Sequence, residues 1–582
     1  MLFVWAIVIF LCWVAIASTL IGIGSIVLSL FHKEYLHFDA LWMGLALTVA
    51  FLEIWNLLLP ITSSAAILLL GIGVLGLFAN RSRLVEGLRA SLHASPWVIL
   101  SAIAIVLLIA FRSVGPCDYY DTGLYGAAAV RWIQTYPAVP GLANLHGRLG
   151  FNSSIFLIVA TLQRGALRDL AHHLFTGFLM SALCLTLLPA SARIAAKATA
   201  CAADWFHSIL AIPAIFWATR AKVVGTLTDE PASIACLVAT GILFDDYVRT
   251  AKEPQSGPDI HRLLVATTLF SLAVSFKLSI VVFAVLAWWL AFRRIWLRTC
   301  PGQQRKIYLA ASLVLSIVVL LPWCIRSVVL TGYPFFPATI LGFPVDWKIP
   351  LSVAKWYALG VQSWGRIPDV AFEQTRGYTW LGVWLHHAVR NRVSFQVPIA
   401  ISLAGLALAL AFRKRRDSCP TYPWLWLLLP SLAGLCFWFW ASPDMRFGQC
   451  AIWAAAGTLG SWGIVCISSE RPAAYSRVAR ATLLLLLVWC LISFGWSQPY
   501  RTLLAVKELP GLPNADLTVR YTVSELAVYV PSEGIQCWDA PLPCTPYFDE
   551  TLRLRDKNSV RSGFTVQPRA ENVQEPSSVS RK

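Results

Sequence analysis

The chain has 582 residues, 57% of them hydrophobic and only 13% charged, with a mean hydropathy of +0.65. Soluble domains carry about 25% charged residues, so this composition excludes a mostly soluble protein and points to an all-α polytopic membrane bundle of about 12–14 spans. The net charge of +17 would suit a nucleic-acid partner in a soluble chain. Here Lys and Arg lie in short loops between apolar runs, where the positive-inside bias explains them, and no nucleic-acid role is expected.

A span needs about 20 apolar residues. Candidates in chain order are 3–30, 41–59, 61–79, 96–112, 171–190, 204–219, 231–247, 263–275, 278–293, 307–329, 392–412, 423–441, 449–467 and 480–498. The first has no positive n-region and is too long for the apolar part of a signal peptide, so it is expected to remain as a span. The run 263–293 is interrupted at Ser275, Phe276 and Lys277, and reads either as one kinked span or as two short ones. Arg81, Arg83, Arg89, Arg193, Lys197, Arg249, Lys252, Arg262, Arg293, Arg294, Arg298, Arg305 and Lys306 fall in alternate loops. So do the run Arg413–Arg416 and Arg471, Arg477 and Arg480. These loops are assigned to the cytoplasm. The other face then carries 113–170, 220–230, the turn at Lys277, the long loop 330–391, the turn 441–448 and everything after Ser497. The alternation requires 151–163 to lie along the membrane surface as an amphipathic segment. The chain divides into 1–95, a core at 96–498, a small segment at 499–566 and a tail, 567–582, whose composition reads as disordered.

Most of the fourteen cysteines sit within apolar runs, as small hydrophobes do. Cys537 and Cys544 are the exceptions. A disulfide between them is compatible with a segment outside the cytoplasm, and two free thiols are an equal alternative.

Ionisable groups collect on the face away from the arginine-rich loops. Asp118 and Asp121 follow the apolar run ending near Phe111, and His146 and Arg148 lie further along the same loop. Asp229 and Glu230 open a span, Lys277 sits at a break, and Asp444 and Arg446 share a short turn. Charge beside a span is costly and needs a partner or a function. Two cations, Lys277 and Arg446, suit a phosphate at headgroup level. An aspartate suits a general base acting on an acceptor hydroxyl. Blander roles exist for each. Asp121 and Asp229 suit helix N-caps, the latter with Pro231 in the first turn. Lys277 can snorkel, and Arg446 can pair with Asp444. His386 and His387 read as surface residues.

The segment DTGLY (Asp121–Tyr125), followed by a helix bearing Arg131, resembles the first-loop motif of the GT-C membrane glycosyltransferases. The likeness is greatest to the lipid A aminoarabinose transferase and protein mannosyltransferase branch. TDEPAS is similar to that family's second acidic motif, SFKLS to its Lys-bearing break, and PWCIRSVVLTGYPFFP to its entry into the second outer loop. The resemblance covers roughly residues 96–450. Thr122 stands where the family usually has an acidic residue, Glu230 separates Asp229 from Pro231, and Gly150, Phe151 and Asn152 replace a proline-rich entry. The helices before residue 96 are additional, and the C-terminal segment is shorter than a full soluble domain.

The resemblance implies transfer of a sugar from a polyprenyl-phosphate-linked donor to a lipid, glycan or protein acceptor, at the extracytoplasmic face of a bacterial inner membrane. Asp121 and Asp229 would be catalytic. Asp118, Tyr125, Glu230, Lys277, Arg446, His146 and Arg148 would bind substrate. A divalent metal is left open as a cofactor, with no metal-ligand residues assigned. A polysaccharide polymerase or ligase would instead rely on Arg366, Arg376, His386 and Arg390. A transporter would place its polar residues near the bilayer midplane, often within internal repeats, and neither is seen here.

Overall fold

The computed structural model describes residues 2–31, 37–92, 95–163, 169–195, 200–219, 223–252, 259–297, 302–370, 372–412, 422–468, 481 and 508–566. Helices α1 (Leu2–Phe31), α2 (His37–Leu58) and α3 (Ser63–Ala79) form an N-terminal layer. They approach closely because glycines face backbone. A Cβ on Gly24 would stand 1.9 Å from the Ala40 carbonyl oxygen, and one on Gly22 would stand 2.0 Å from that of Gly73. Small residues drive this kind of helix contact in lipid, where burying leucine against leucine gains little. The polar helix α4 (Arg81–Leu92) follows, bent 77° from α3, and α5 (Pro96–Arg112) leads back to the first long loop.

That loop folds into a π-helical turn (Thr122–Gly126), α6 (Ala127–Thr135), α7 (Leu142–Leu145), a 3-10 turn (Gly147–Phe151) and α8 (Ile155–Leu162). The expectation that 151–163 is an amphipathic segment with an exposed face is corrected here. Residues 155–160 of α8 are each no more than 5% exposed, and the helix packs against α2, α3 and α6. Its sequence, IFLIVATL, has no polar face to leave outside. Hydrogen bonds from Ser153 to the Phe276 carbonyl (2.8 Å) and from Ser154 to Ser275 (2.6 Å) fix its start.

The bundle continues with α9 (Phe175–Ala195), α10 (Ala202–Thr219), α11 (Asp229–Lys252), α12 (Ile260–Phe276), α13 (Val281–Trp296) and α14 (Gly302–Thr331). Lys277 is extended (φ −155°, ψ 122°) and separates α12 from α13, so 263–293 is two helices. The loop expected at 330–391 carries α15 (Leu351–Arg366) and α16 (Trp380–Arg390). Then come α17 (Val397–Phe412), α18 (Tyr422–Ala441) and α19 (Met445–Ser468). Nine described helices are long and apolar enough to cross a membrane, or up to ten if α3 and the bent segment after it count as one span. The protein is therefore an all-α multi-pass membrane bundle. Helices α5 and α12, at 17 residues each, are shorter than those nine. The expected span 480–498, apart from residue 481, and the expected tail 567–582 lie outside the described residues.

The helices share two poles. At one, Arg262 bridges Asp245 (3.0 Å) and Asp39 (3.6 Å), His207 meets Asp245 (2.8 Å) and Arg294 meets Asp246 (2.8 Å). At the other lie the first loop, α15, α16 and the C-terminal segment. That segment is two antiparallel hairpins, β1 (Leu517–Tyr521) with β2 (Ala527–Pro531) and β3 (Leu552–Asp556) with β4 (Ser559–Val566). A disulfide joins Cys537 to Cys544. The segment is fastened to the first loop. Trp538 N–H donates to the Gly123 carbonyl (2.9 Å), and Arg131 donates to the carbonyls of Asp539 (2.6 Å) and Ala540 (2.7 Å). Phe564 packs edge-on against Trp132 at 5.8 Å.

Candidate functional site

The site is built where the turn after α5 meets the start of α11. Thr122 is fully buried, and its hydroxyl accepts from the Thr226 N–H (3.0 Å) and approaches the Thr226 hydroxyl (3.2 Å). Gly126 permits this contact, since a Cβ there would lie 2.0 Å from Thr226 Oγ1. Thr122, which departs from the acidic neighbour of the resembled motif, thus acts as a clasp between two loops. The clasp draws Asp121 towards Asp229.

Asp121 stands at the N-cap position of the π-helical turn, yet its side chain makes no cap hydrogen bond. The capping role is therefore not the one adopted. Its Oδ2 accepts from Tyr119 Oη (3.4 Å) and faces Arg446 Nη1 (3.5 Å). Arg446, in the first turn of α19, also reaches Asp444 (3.2 Å), Tyr119 Oη (3.3 Å) and Asp229 (4.0 Å). Lys277 forms an ion pair with Asp229 and lies over the Phe447 ring, 4.1 Å from its centroid. Four chain segments distant in sequence thus supply one cluster: Asp121, Asp229, Lys277 and Asp444 with Arg446. Asp229 is only 4% exposed. A carboxylate so buried is tolerable because cations compensate it.

The cluster forms one wall of a cavity of about 1150 Å³. Asp118, Tyr125, Arg148, Asp229, Glu230, Lys277, Arg446 and Asp121 all line it. His146 does not. It is 2% exposed and packs against the Tyr547 ring at 5.3 Å, behind the cavity wall. His146, expected to bind substrate, is therefore not among the residues that line this cavity. The 3-10 turn that begins at Gly147 brings Arg148 into the cavity and leaves His146 buried. Among the described residues no group of three or more His, Cys, Asp or Glu side chains is placed to hold a metal ion.

Several cavity residues escaped the sequence reading. Tyr119 joins the ion cluster, and Trp356, Tyr357 and Trp364 of α15 line the cavity, together with Trp384 of α16 and with Arg366, which was expected only under the polymerase or ligase reading. Ile535 and Tyr547 come from the C-terminal segment. His387, expected on the surface, is exposed at the cavity rim. Arg376, His386 and Arg390 are not among the lining residues. The aromatic spacing in α15 was a readable signal. Nothing in the local sequence ties Tyr547 to a loop about 400 residues earlier.

Protonation within the wall follows from burial. Burial raises the Tyr119 phenol well above its ordinary value, and the Asp229 and Asp121 carboxylates raise it further. Burial first, and then Asp121, likewise raise the Tyr125 phenol. Both hydroxyls therefore stay protonated, and Tyr119 serves as a donor to Asp121. Burial, reinforced by Arg148, lowers His146 to about 3. The arrangement can hold an anionic group beside cations and present a carboxylate to a hydroxyl in a largely apolar chamber. The Lys277 ammonium has three N–H donors and directs one to Asp229.

The sequence model of one protein family, described as "Domain of unknown function (DUF8201)", matches residues 7–453. No curated protein matches the chain. The matched stretch includes the whole ion cluster and ends before the disulfide-bearing segment.

Proposed function

The chain belongs to this family, DUF8201, and we propose that it is a membrane glycosyltransferase of GT-C type. It moves a sugar from a polyprenyl-phosphate-linked donor to a hydroxyl of a lipid, glycan or protein acceptor. One observation carries this: Asp121, Asp229, Lys277 and Arg446 come from four distant segments and meet on one cavity at one end of the bundle. Asp121 takes the proton of the acceptor hydroxyl as its oxygen attacks the anomeric carbon. The bond from that carbon to the phosphate oxygen breaks, and polyprenyl phosphate leaves without needing a proton. Single displacement inverts the anomeric centre, by analogy with inverting glycoside chemistry. Lys277 and Arg446 hold the phosphate as charge builds on it. The apolar walls at Phe276, Phe336 and Trp364 suit the first prenyl units. We place this cavity on the extracytoplasmic side of a bacterial inner membrane, and the excess of Lys and Arg in the loops of the other face supports that side.

The test is transfer to acceptor in membranes carrying Asp121→Asn. Transfer is expected to fall by about 10²–10⁴-fold, with insertion and melting unchanged. Wild-type transfer by that variant removes Asp121 as the base. The second reading, a polysaccharide polymerase or ligase, is favoured by Arg366, which lies on the same cavity and donates to the Thr375 carbonyl (2.9 Å). Under that reading, chain-length distribution shifts in Arg366→Ala. Under the first, product size does not change.

A further inference from the structure

A second cavity, of about 730 Å³, lies apart from the first, between the chain leaving α14 and the β3–β4 hairpin. Tyr333, Thr339, Asp346, Lys348, Arg553 and Thr565 are among its lining residues. Among the described residues its one lining carboxylate is Asp346, which is bound by Arg555 through two contacts of 2.7 and 3.2 Å. With that pair cancelled, Lys348 and Arg553 leave the cavity with two positive charges. Among the described residues neither cation has a carboxylate partner. Lys348 instead lies over the Tyr333 ring at 5.0 Å, and the buried Arg553 Nε has no hydrogen-bond partner among the described residues.

The position of this cavity along the bundle is set by α14. Trp347 Nε1 donates to the Val328 carbonyl (3.2 Å), and the Ile349 N–H donates to the Thr331 carbonyl (3.0 Å). Lys348 is thereby held against the last turn of a membrane-crossing helix. The loop on the outer side of the cavity exposes apolar side chains, Ile340 at 59%, Leu341 at 71% and Phe343 at 48%. Cations at the end of a span beside an exposed apolar loop match the layering of a bilayer, with headgroup phosphate above acyl chain.

We propose that this cavity binds a phosphate group, and that the group is the headgroup of an anionic phospholipid seated by the 340–343 loop. Lys348 and Arg553 grip the phosphate from two chain segments more than 200 residues apart, so an occupied site ties the C-terminal segment to the membrane surface. This site does not depend on the transferase assignment, and a negative transfer assay leaves it standing.

The test uses the full-length protein, delipidated in neutral detergent. Phosphatidylglycerol, phosphatidylcholine or inorganic phosphate is added, and bound species are counted by native mass spectrometry. Each lost charge-assisted contact is expected to cost about tenfold. Wild type should hold phosphatidylglycerol at least tenfold better than phosphatidylcholine. Lys348→Gln with Arg553→Gln should abolish that preference, and Lys348→Arg should keep it. Inorganic phosphate retained with the same dependence on both cations supports the phosphate site and transfers it from lipid to a soluble anion. Equal retention by wild type and the double glutamine variant, with matched melting temperatures, overturns the proposal. So does equal binding of the two phospholipids by wild type when inorganic phosphate is not retained.

Discussion

His146 and Arg148 are two residues apart and have opposite fates. Arg148 enters the cavity while His146 is sealed beneath Tyr547. The consequence is a pH dependence of stability. In the folded protein His146 titrates at about 3, against about 6.5 in an unfolded chain. The unfolded state therefore binds the proton first, and stability rises with pH through this window. The His146 contribution is complete above about 6.5 and is lost as pH falls towards 3, by about 1.4 kcal/mol per unit. His146→Phe keeps a ring against Tyr547 and removes the proton site. Melting curves between pH 7 and 4 should fall more steeply for wild type than for this variant, and parallel curves would refute the assignment. Single residues were legible in the sequence where charge stood beside an apolar run. Asp121, Asp229, Lys277 and Arg446 were found that way, because a charge there demands a partner. His146 sits in a polar loop, where sequence carries no burial signal. Tyr119 and Tyr547 carry no charge and gave no such cue.

At the scale of elements, helices were legible because apolar runs of about 20 residues have few alternatives. The break at Lys277 was legible as a break, though only the backbone shows two helices rather than one bent helix. The amphipathic character expected of 151–163 is not found, for a physical reason. Its length suits a surface helix, but an all-apolar octamer gains most by full burial, and the Ser153 and Ser154 hydroxyls, donating to the Phe276 carbonyl and to Ser275, fasten its start to the end of α12. Close helix approach was not legible, because Gly22, Gly24 and Gly44 look like ordinary small residues in an apolar run. The structure gives them a role. A side chain on Gly24 meets backbone of α2, which cannot rotate away as a side chain can. Gly24→Leu should therefore push α1 from α2 and destabilise by about 1–3 kcal/mol. Leucine on the lipid-exposed Gly71, where a Cβ meets nothing within 4 Å, should be neutral. Detergent melting of the two variants checks this, and equal melting temperatures would mean that the α1–α2 contact is not tight.

At the scale of the whole molecule, the two poles differ in kind. The pole with Arg262, Arg293 and Arg294 is knit by aspartates and carries further arginines in its loops. The other carries the cavity, helices α15 and α16 and a hairpin segment that bears a disulfide. Two independent physical rules orient them alike. Basic loops favour the cytoplasm, and disulfides persist in oxidising compartments. Helix α14 connects the poles, with 30 residues and hence about 45 Å from end to end. A cysteine at either end therefore reports on a different side. Tyr378, just before α16, is 83% exposed at the cavity pole, and Lys306 is exposed near the start of α14. In a Cys436→Ser background, which removes the one exposed free thiol among the described residues, Tyr378→Cys should react with a membrane-impermeant maleimide on intact cells. Lys306→Cys should react only after permeabilisation. The reverse pattern would put the cavity in the cytoplasm, where neither a persistent disulfide nor the loop charges would make sense, and the lipid-linked donor would have to be supplied from the inner leaflet.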